Sequence, residues 1–195
     1  MVSSVVETNL SDWKFLGHSV HSLSIIPEAH KTKTDEEKGP AILLIHGFGA
    51  STTHWRYNLP VLGKQYEVHA LDLLGFGKSS KPSGLAYGGP LWKDQIVAYV
   101  KEKIGRPTIL VGNSLGGYAA LASGAAMGPE AAGVVLLNAA GYFSEDKKTT
   151  KGTWATARKT VAGIFLKNAL LQRIIFEILR QPSTIKRTLN QFYID

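Results

Sequence analysis

Two textures of apolar and polar residues alternate along this chain. Short continuous apolar runs end in glycine turns, and longer mixed segments lie between them. Ala41 to Ile45 runs into His46-Gly47-Phe48-Gly49, and Tyr66 to Leu73, a strand candidate that also carries Glu67, His69 and Asp72, ends in Leu74-Gly75-Phe76-Gly77. Pro107 to Val111 runs into Gly112-Asn113-Ser114-Leu115-Gly116-Gly117, and Gly133 to Asn138 forms a fourth run. Apolar runs without alternation, bounded by turn residues, predict strands of a parallel sheet buried on both faces. Between them, Trp55 to Leu62 predicts a short helix limited by Pro60. Leu91 to Ile104 predicts an amphipathic helix with Leu91, Ile96, Val97, Val100 and Ile104 inward. The alanine-rich stretch from Tyr118 to Met127 predicts a helix packed closely on the sheet. Ahead of these, Trp13 to Ile26 reads as two short strands broken near Gly17-His18, and Glu28 to Lys38 as a charged, exposed connection. Strand and helix in alternation predict an α/β fold, a mostly parallel sheet flanked by helices, with its sites at the carboxyl ends of the strands.

After Gly141 the texture changes. Ser144 to Lys151 is polar and basic, and Thr156 to Arg180 reads as a helix ended by Pro182. The predicted division is therefore residues 1–144, the N-terminal part of the core, and residues 145–195, a partial helical cap. Charge sharpens that division. The net charge is +7 over 195 residues, yet residues 1–144 hold 12 Lys and Arg against 11 Asp and Glu, while residues 145–195 hold 10 against 4. A nucleic-acid partner is not expected, because the core lacks the basic face such a protein needs. One reading of the basic tail is a solvated cap helix; the sharper one is peripheral contact with an anionic membrane surface. With no cysteine, disulfides, thiolate metal sites and cysteine nucleophiles drop out. No leader is read at the start and no stretch has the length of a membrane span, so the expected location is the cytoplasm or a plastid stroma or thylakoid surface.

The chemistry concentrates at two turns. Gly112-Asn113-Ser114-Leu115-Gly116 matches G-x-S-x-G, placed after an apolar run and before a small-residue helix. In that context Ser114 is the candidate nucleophile, standing over a helix N-terminus whose free N–H groups favour negative charge. Gly112, Asn113, Gly116 and Gly117 support the turn. The earlier turn, His46, Gly47, Phe48 and Gly49, supplies the other half of a candidate oxyanion hole, with the Phe48 and Leu115 N–H groups as its donors. His46 itself is expected to brace the turn rather than act as a base.

These two turns, together with Asp72 to Ser79 reading D-x-x-G-x-G-x-S, resemble the α/β-hydrolase superfamily. The similarity is closest to the pheophytinase and chlorophyll dephytylase-like branch of cyanobacteria and plastids. It rests on His46 to Ser51 with His54-Trp55-Arg56, on Asp72 to Gly77, on Leu91-Trp92 and on Gly112 to Gly117. The resemblance implies a serine hydrolase that cleaves a carboxylic ester of an apolar substrate through an acyl-enzyme, with a phytyl ester of a chlorophyll-type pigment as one candidate. It implies no metal and no organic cofactor. Nucleotide motifs fail: a P-loop would need glycine where Asp72 stands, and a G-x-G-x-x-G from Gly47 would need it at Thr52. Relatives of this fold that use a carboxylate nucleophile place Asp where this chain has Ser114.

A serine nucleophile needs a histidine base and a carboxylate behind it, which in this superfamily follow the serine in the chain. The histidines are His18, His21, His30, His46, His54 and His69, and all precede Ser114. Asn138 stands where some relatives carry the acid, and Glu145 and Asp146 lie in a polar loop. The expectation is thus a chain that stops inside the cap, short of the last strands, the acid and the histidine, and inactive or weakly active as it stands. The alternatives are a cofactor-free peroxidase-like or carbon–carbon bond hydrolase on the same scaffold, and a non-catalytic fragment.

Overall fold

A computed structural model describes residues 9–140, together with residues 173, 177 and 181–183. Two compact units divide the chain, residues 1–143 and 144–195. Glu145, Asp146 and the helix expected over 156–180 lie outside the described residues, apart from Arg173 and Glu177, which are helical.

The first unit is built on one six-stranded sheet in the order β1-β2-β4-β3-β5-β6. β1 (Asn9–Phe15) and β2 (His18–Ile25) form an antiparallel hairpin. Its two-residue turn, Leu16 and Gly17, has positive φ at both positions, 50° and 76°, the turn geometry whose twist suits paired strands. β2 joins β4 (Val68–Leu71) antiparallel; β3 (Ala41–Ile45), β5 (Thr108–Asn113) and β6 (Ala131–Leu137) continue in parallel. Every residue of β3 and β4 is buried; β3 accordingly reads as an unbroken apolar run, while β4 carries one buried polar residue, His69. The register sets Ile45 level with Leu71 and with Gly112, and Gly112 level with Leu136. The residues that follow these strands therefore emerge along one edge of the sheet.

The charged connection carries a single helical turn, α1 (Asp35–Lys38), with a capping box between Thr34 and Glu37. The predicted short helix is a 3-10 turn over Thr52–Trp55 followed by α2 (Asn58–Leu62). α3 (Gly89–Tyr99) continues through a π-helical turn, Val100–Ile104, to Gly105 in the left-handed region. α4 (Leu115–Met127) starts directly after Ser114.

α3 and α4 cover one face of the sheet, where Leu43, Ile45 and Leu110 pack with Ile96, Tyr99, Ala119 and Ala120. The inward face of α3 differs from the expected one. Trp92, Gln95, Ile96 and Tyr99 are buried, whereas Leu91 and Val97 are only partly so. Gln95 is tolerated inside because both ends of its amide find a partner: Oε1 accepts from Leu74 N–H at 2.9 Å and Nε2 donates to Asp72 O at 3.2 Å.

On the opposite face Trp55 and Leu59 pack over Ile42, Leu44, Val68 and Ala70. Beside them runs an apolar cavity of about 580 Å³, lined by Ile42, Leu44, Ile109, Val111, Val135 and Leu137 among others. β6 thereby departs from its reading as a buried strand. It is the edge strand of the described sheet, with Val135 44% exposed. The same apolar run suits a central strand and an edge strand, so composition does not distinguish them.

Candidate active site

The candidate site lies at the carboxyl ends of β3, β4 and β5. Ser114 sits at the sharp turn from β5 into α4 with φ 52° and ψ −116°, a strained conformation for a residue with a Cβ. The surroundings hold it there. Ser114 N–H donates to Leu137 O at 2.9 Å, and Ser114 O accepts from Gly117 N–H and Ala140 N–H at 3.0 and 2.9 Å. Glycine is required beside it for space. A Cβ on Gly112 would overlap the Gly116 carbonyl, and one on Gly116 would overlap the carbonyls of Ile45 and His46. The Ser114 side chain makes no capping bond to its own helix, and among the described residues no group is hydrogen-bonded to its Oγ.

The turn after β3 comes up against the serine: a Cβ on Gly47 would stand 3.2 Å from Ser114 Cβ. Ala50 N–H closes this turn on Gly47 O at 3.2 Å, with Gly49 at φ 69°. Phe48 is the residue at its crest, 80% exposed. Leu115 is the first residue of α4, so its N–H has no acceptor within the helix. The structure thus places the two expected donor residues on either side of one strained serine.

His46 is fully buried and ties the β3 turn to the β4 turn. Its Nδ1–H donates to Gly47 O at 2.7 Å, and its Nε2 accepts from Leu73 N–H at 3.1 Å. Both nitrogens are engaged in the neutral form. Burial holds its pKa below the usual imidazole range, against the opposing pull of the Gly47 bond and the Asp72 charge. These two contacts join the turns after β3 and β4 through one side chain.

Asp72 organises the neighbouring loop. Its buried carboxylate accepts from Thr52 N–H at 2.6 Å and from Lys78 N–H at 2.7 Å, and its carbonyl accepts from Ser79 Oγ at 2.7 Å. Gly77, at φ 51°, lies against the carboxylate so closely that a Cβ there would overlap it.

His54 also reaches the elbow, by a contact that sequence spacing could not reveal. Asn113 Nδ2 donates to His54 Nε2 at 3.1 Å, across 59 positions, and the imidazole stands edge-on to Trp55. Occupied by Asn113, that nitrogen positions the residue before Ser114. The other histidines lie elsewhere. His18 and His21 belong to β2, and His30 to a 3-10 turn. His69, early in β4, contacts Tyr99 Oη and Glu67 Oε1 at 3.1 and 2.9 Å. Arg106 Nη2 forms an ion pair with Glu67 Oε2 at 2.9 Å. Burial alone would raise the Glu67 pKa, but the His69 bond and the His69 and Arg106 charges hold it below the ordinary value. This polar group sits at the end of β4 opposite Asp72.

The geometry agrees with comparison to known proteins. The model of the alpha/beta hydrolase family matches residues 42–189. This chain belongs to the alpha/beta hydrolase family. It is 28% identical over 198 residues to the chloroplastic pheophytinase of Arabidopsis thaliana, covering 85% of this chain and 41% of that protein. It is 36% identical over 110 residues to the 2-hydroxymuconate semialdehyde hydrolase of Pseudomonas sp. strain CF600, covering 55% of this chain and 39% of that one. Among solved structures, a membrane phospholipase A described as a bacterial virulence factor superposes with a TM-score of 0.61 at 31% identity, covering 72% of this chain and 42% of that chain. The chain thus spans about two fifths of the length of these relatives. Among the described residues no helix is long and apolar enough to cross a membrane.

Proposed function

We propose that the chain carries the nucleophile half of a serine esterase site for an apolar carboxylic ester. Ser114 Oγ attacks the ester carbonyl. The N–H groups of Phe48 and Leu115 hold the developing oxyanion, each such donor supplying about 3–4 kcal/mol of barrier lowering. The ester C–O bond then breaks, the alcohol leaves with the proton that the base took from Oγ, and the acyl group resides on Ser114 until water attacks it and releases the carboxylic acid. One observation carries this reading: a non-glycine residue locked at φ 52° at a helix N-terminus, with the Gly47–Phe48 turn packed against it. Strain of this kind persists where the surroundings enforce it, and it presents the hydroxyl rather than burying it. The proton on Oγ has no acceptor among the described residues, so the base comes from outside them.

That last point shapes the test. Hydrolysis of a p-nitrophenyl alkanoate is measured with increasing imidazole, which can enter and act as the general base. The chain should show a saturable, imidazole-dependent rate above that of imidazole alone, lost in Ser114→Ala. Equal rates for the two proteins would refute the assignment.

The similarity to pheophytinase over most of the chain supports a finer substrate, a phytyl ester of a chlorophyll-type pigment. Residues 145–195, with their excess of positive charge, would then serve as a lid that meets an anionic membrane surface at the cytoplasmic or stromal side. A second reading, carbon–carbon bond hydrolysis on the same scaffold, is supported by the similarity to the semialdehyde hydrolase. Product analysis with an ester and a vinylogous diketone separates them.

A further inference from the structure

A cavity of about 360 Å³ opens beside the oxyanion turn, lined by Phe48, Gly75, Phe76, Lys81, Tyr87 and Trp92. Its size falls in the ordinary range of small-molecule pockets. Three of its rings form a chain of contacts. Phe48 meets Phe76 edge-on, centroids 5.5 Å apart at 75°, and Phe76 meets Trp92 at 5.8 Å and 45°. The fourth ring, Tyr87, lies on Gly75, so close that a Cβ there would stand 2.8 Å from Tyr87 Cε1. Only glycine, here at φ 92°, lets the ring settle.

The polar ends of these aromatics are already engaged inside the protein. Trp92 Nε1 donates to Leu74 O at 3.0 Å, and Tyr87 Oη donates to Pro82 O at 2.8 Å. What the cavity offers a ligand is hydrocarbon and ring surface, including the Phe48 side chain that is mostly exposed. The exception is Lys81. Its Nζ donates to Gly77 O at 2.6 Å and Ser79 O at 3.1 Å, which fixes the ammonium against the loop that follows Gly75 and Phe76. With three N–H groups, one donor remains. Among the described residues no carboxylate pairs with it.

We propose that this cavity is a subsite for a flat aromatic group bearing a carboxylate: the ring lies against Phe48, Phe76 and Tyr87, and the carboxylate meets Lys81. The inference rests on the esterase reading for its meaning. Because Phe48 contributes both the oxyanion N–H and a wall of the cavity, the subsite holds the part of the substrate next to the scissile carbonyl. Ring-on-ring contact with offset or edge geometry adds to the area term that any apolar group would gain. A saturated ring of the same charge forgoes that addition.

Isothermal titration of the chain with 2-naphthoate, its saturated counterpart decahydro-2-naphthoate and 2-naphthalenemethanol tests the proposal. Naphthoate should bind on the order of tenfold more tightly than the saturated acid of the same size. Tyr87→Ala should weaken naphthoate several-fold. Lys81→Met should abolish the advantage of naphthoate over the neutral alcohol while leaving the alcohol's affinity unchanged. Both side chains are exposed, and circular dichroism verifies that each variant is folded. Absence of saturable naphthoate binding, equal affinity for the saturated ring, or indifference to both substitutions would overturn the subsite. The two readings fail separately. Imidazole-dependent turnover at Ser114 without naphthoate binding removes the subsite alone. Naphthoate binding that responds to Tyr87 and Lys81, without turnover, keeps the subsite and removes the esterase.

Discussion

Gly77 and the Asp72 carboxylate compete for the same volume, and that competition can be measured. Asp72→Ala removes two charge-assisted bonds, from Thr52 N–H at 2.6 Å and Lys78 N–H at 2.7 Å. Thr52 is buried, so its donor is left unmet, at about 1–3 kcal/mol. Lys78 is exposed, and water replaces its lost partner. With the net value of the lost bonds to a charged group, the expected loss is about 3–5 kcal/mol. Gly77→Ala costs about 1 kcal/mol for its positive φ. It costs about 2–3 kcal/mol more for displacing the carboxylate from those same bonds. In the double variant the displacement cost vanishes, because nothing remains to displace. The two substitutions together should therefore destabilise by about 2–3 kcal/mol less than their sum. Urea unfolding followed by tryptophan fluorescence, with unchanged denaturant slope, reads each corner of the cycle. Asp72→Asn serves as a control that keeps the bulk, and its coupling to Gly77→Ala should be smaller. Additivity within about 0.5 kcal/mol would show that the side chain and the glycine do not share that space.

Two further predictions concern the buried titratable groups and the strained serine. His46 and His30 have pKa values lowered from 6.5, both chiefly by burial, so the unfolded chain takes up protons first as pH falls. Their stability contribution is present above about pH 6.5 and is lost progressively below it; Glu67, lowered from 4.5, extends the loss to more acid pH. Melting temperature should fall between pH 7.5 and 5.5, and His46→Gln should flatten that fall; an unchanged slope would remove His46 as a cause. Ser114→Gly relieves the strain at φ 52° and should raise stability by about 1 kcal/mol while abolishing imidazole-dependent turnover, and a lower melting point would refute the strain argument.

The parallel strands and their glycine turns were legible because burial on both faces demands apolar runs, and sharp turns demand residues without a Cβ. Ser114, Gly112 and Gly116 could be named for that reason. His46 could be read as a brace because a histidine inside an apolar turn needs local partners. Other features were hidden for equally physical reasons. Gln95 is polar yet buried, because it bonds the backbone of a loop more than twenty residues away. Trp92 and Tyr99 turn inward because Leu74 O and the Trp13 ring await them. The Asn113–His54 contact depends on how β5 and the 3-10 turn meet, which no spacing encodes. β6 reads like β3, and only the sheet order shows that it forms an edge.

The elbow is fastened through its backbone to the last strand of the described sheet, by Ser114 N–H to Leu137 O and Ala140 N–H to Ser114 O. Edge elements are the parts of a fold that open first, in excursions that leave the core intact. Peeling β6 from β5 would break both bonds and remove part of the clamp that keeps the serine's φ positive. The geometry of Ser114 is therefore linked to the seating of β6: whatever holds that strand in place also holds the serine, without touching it.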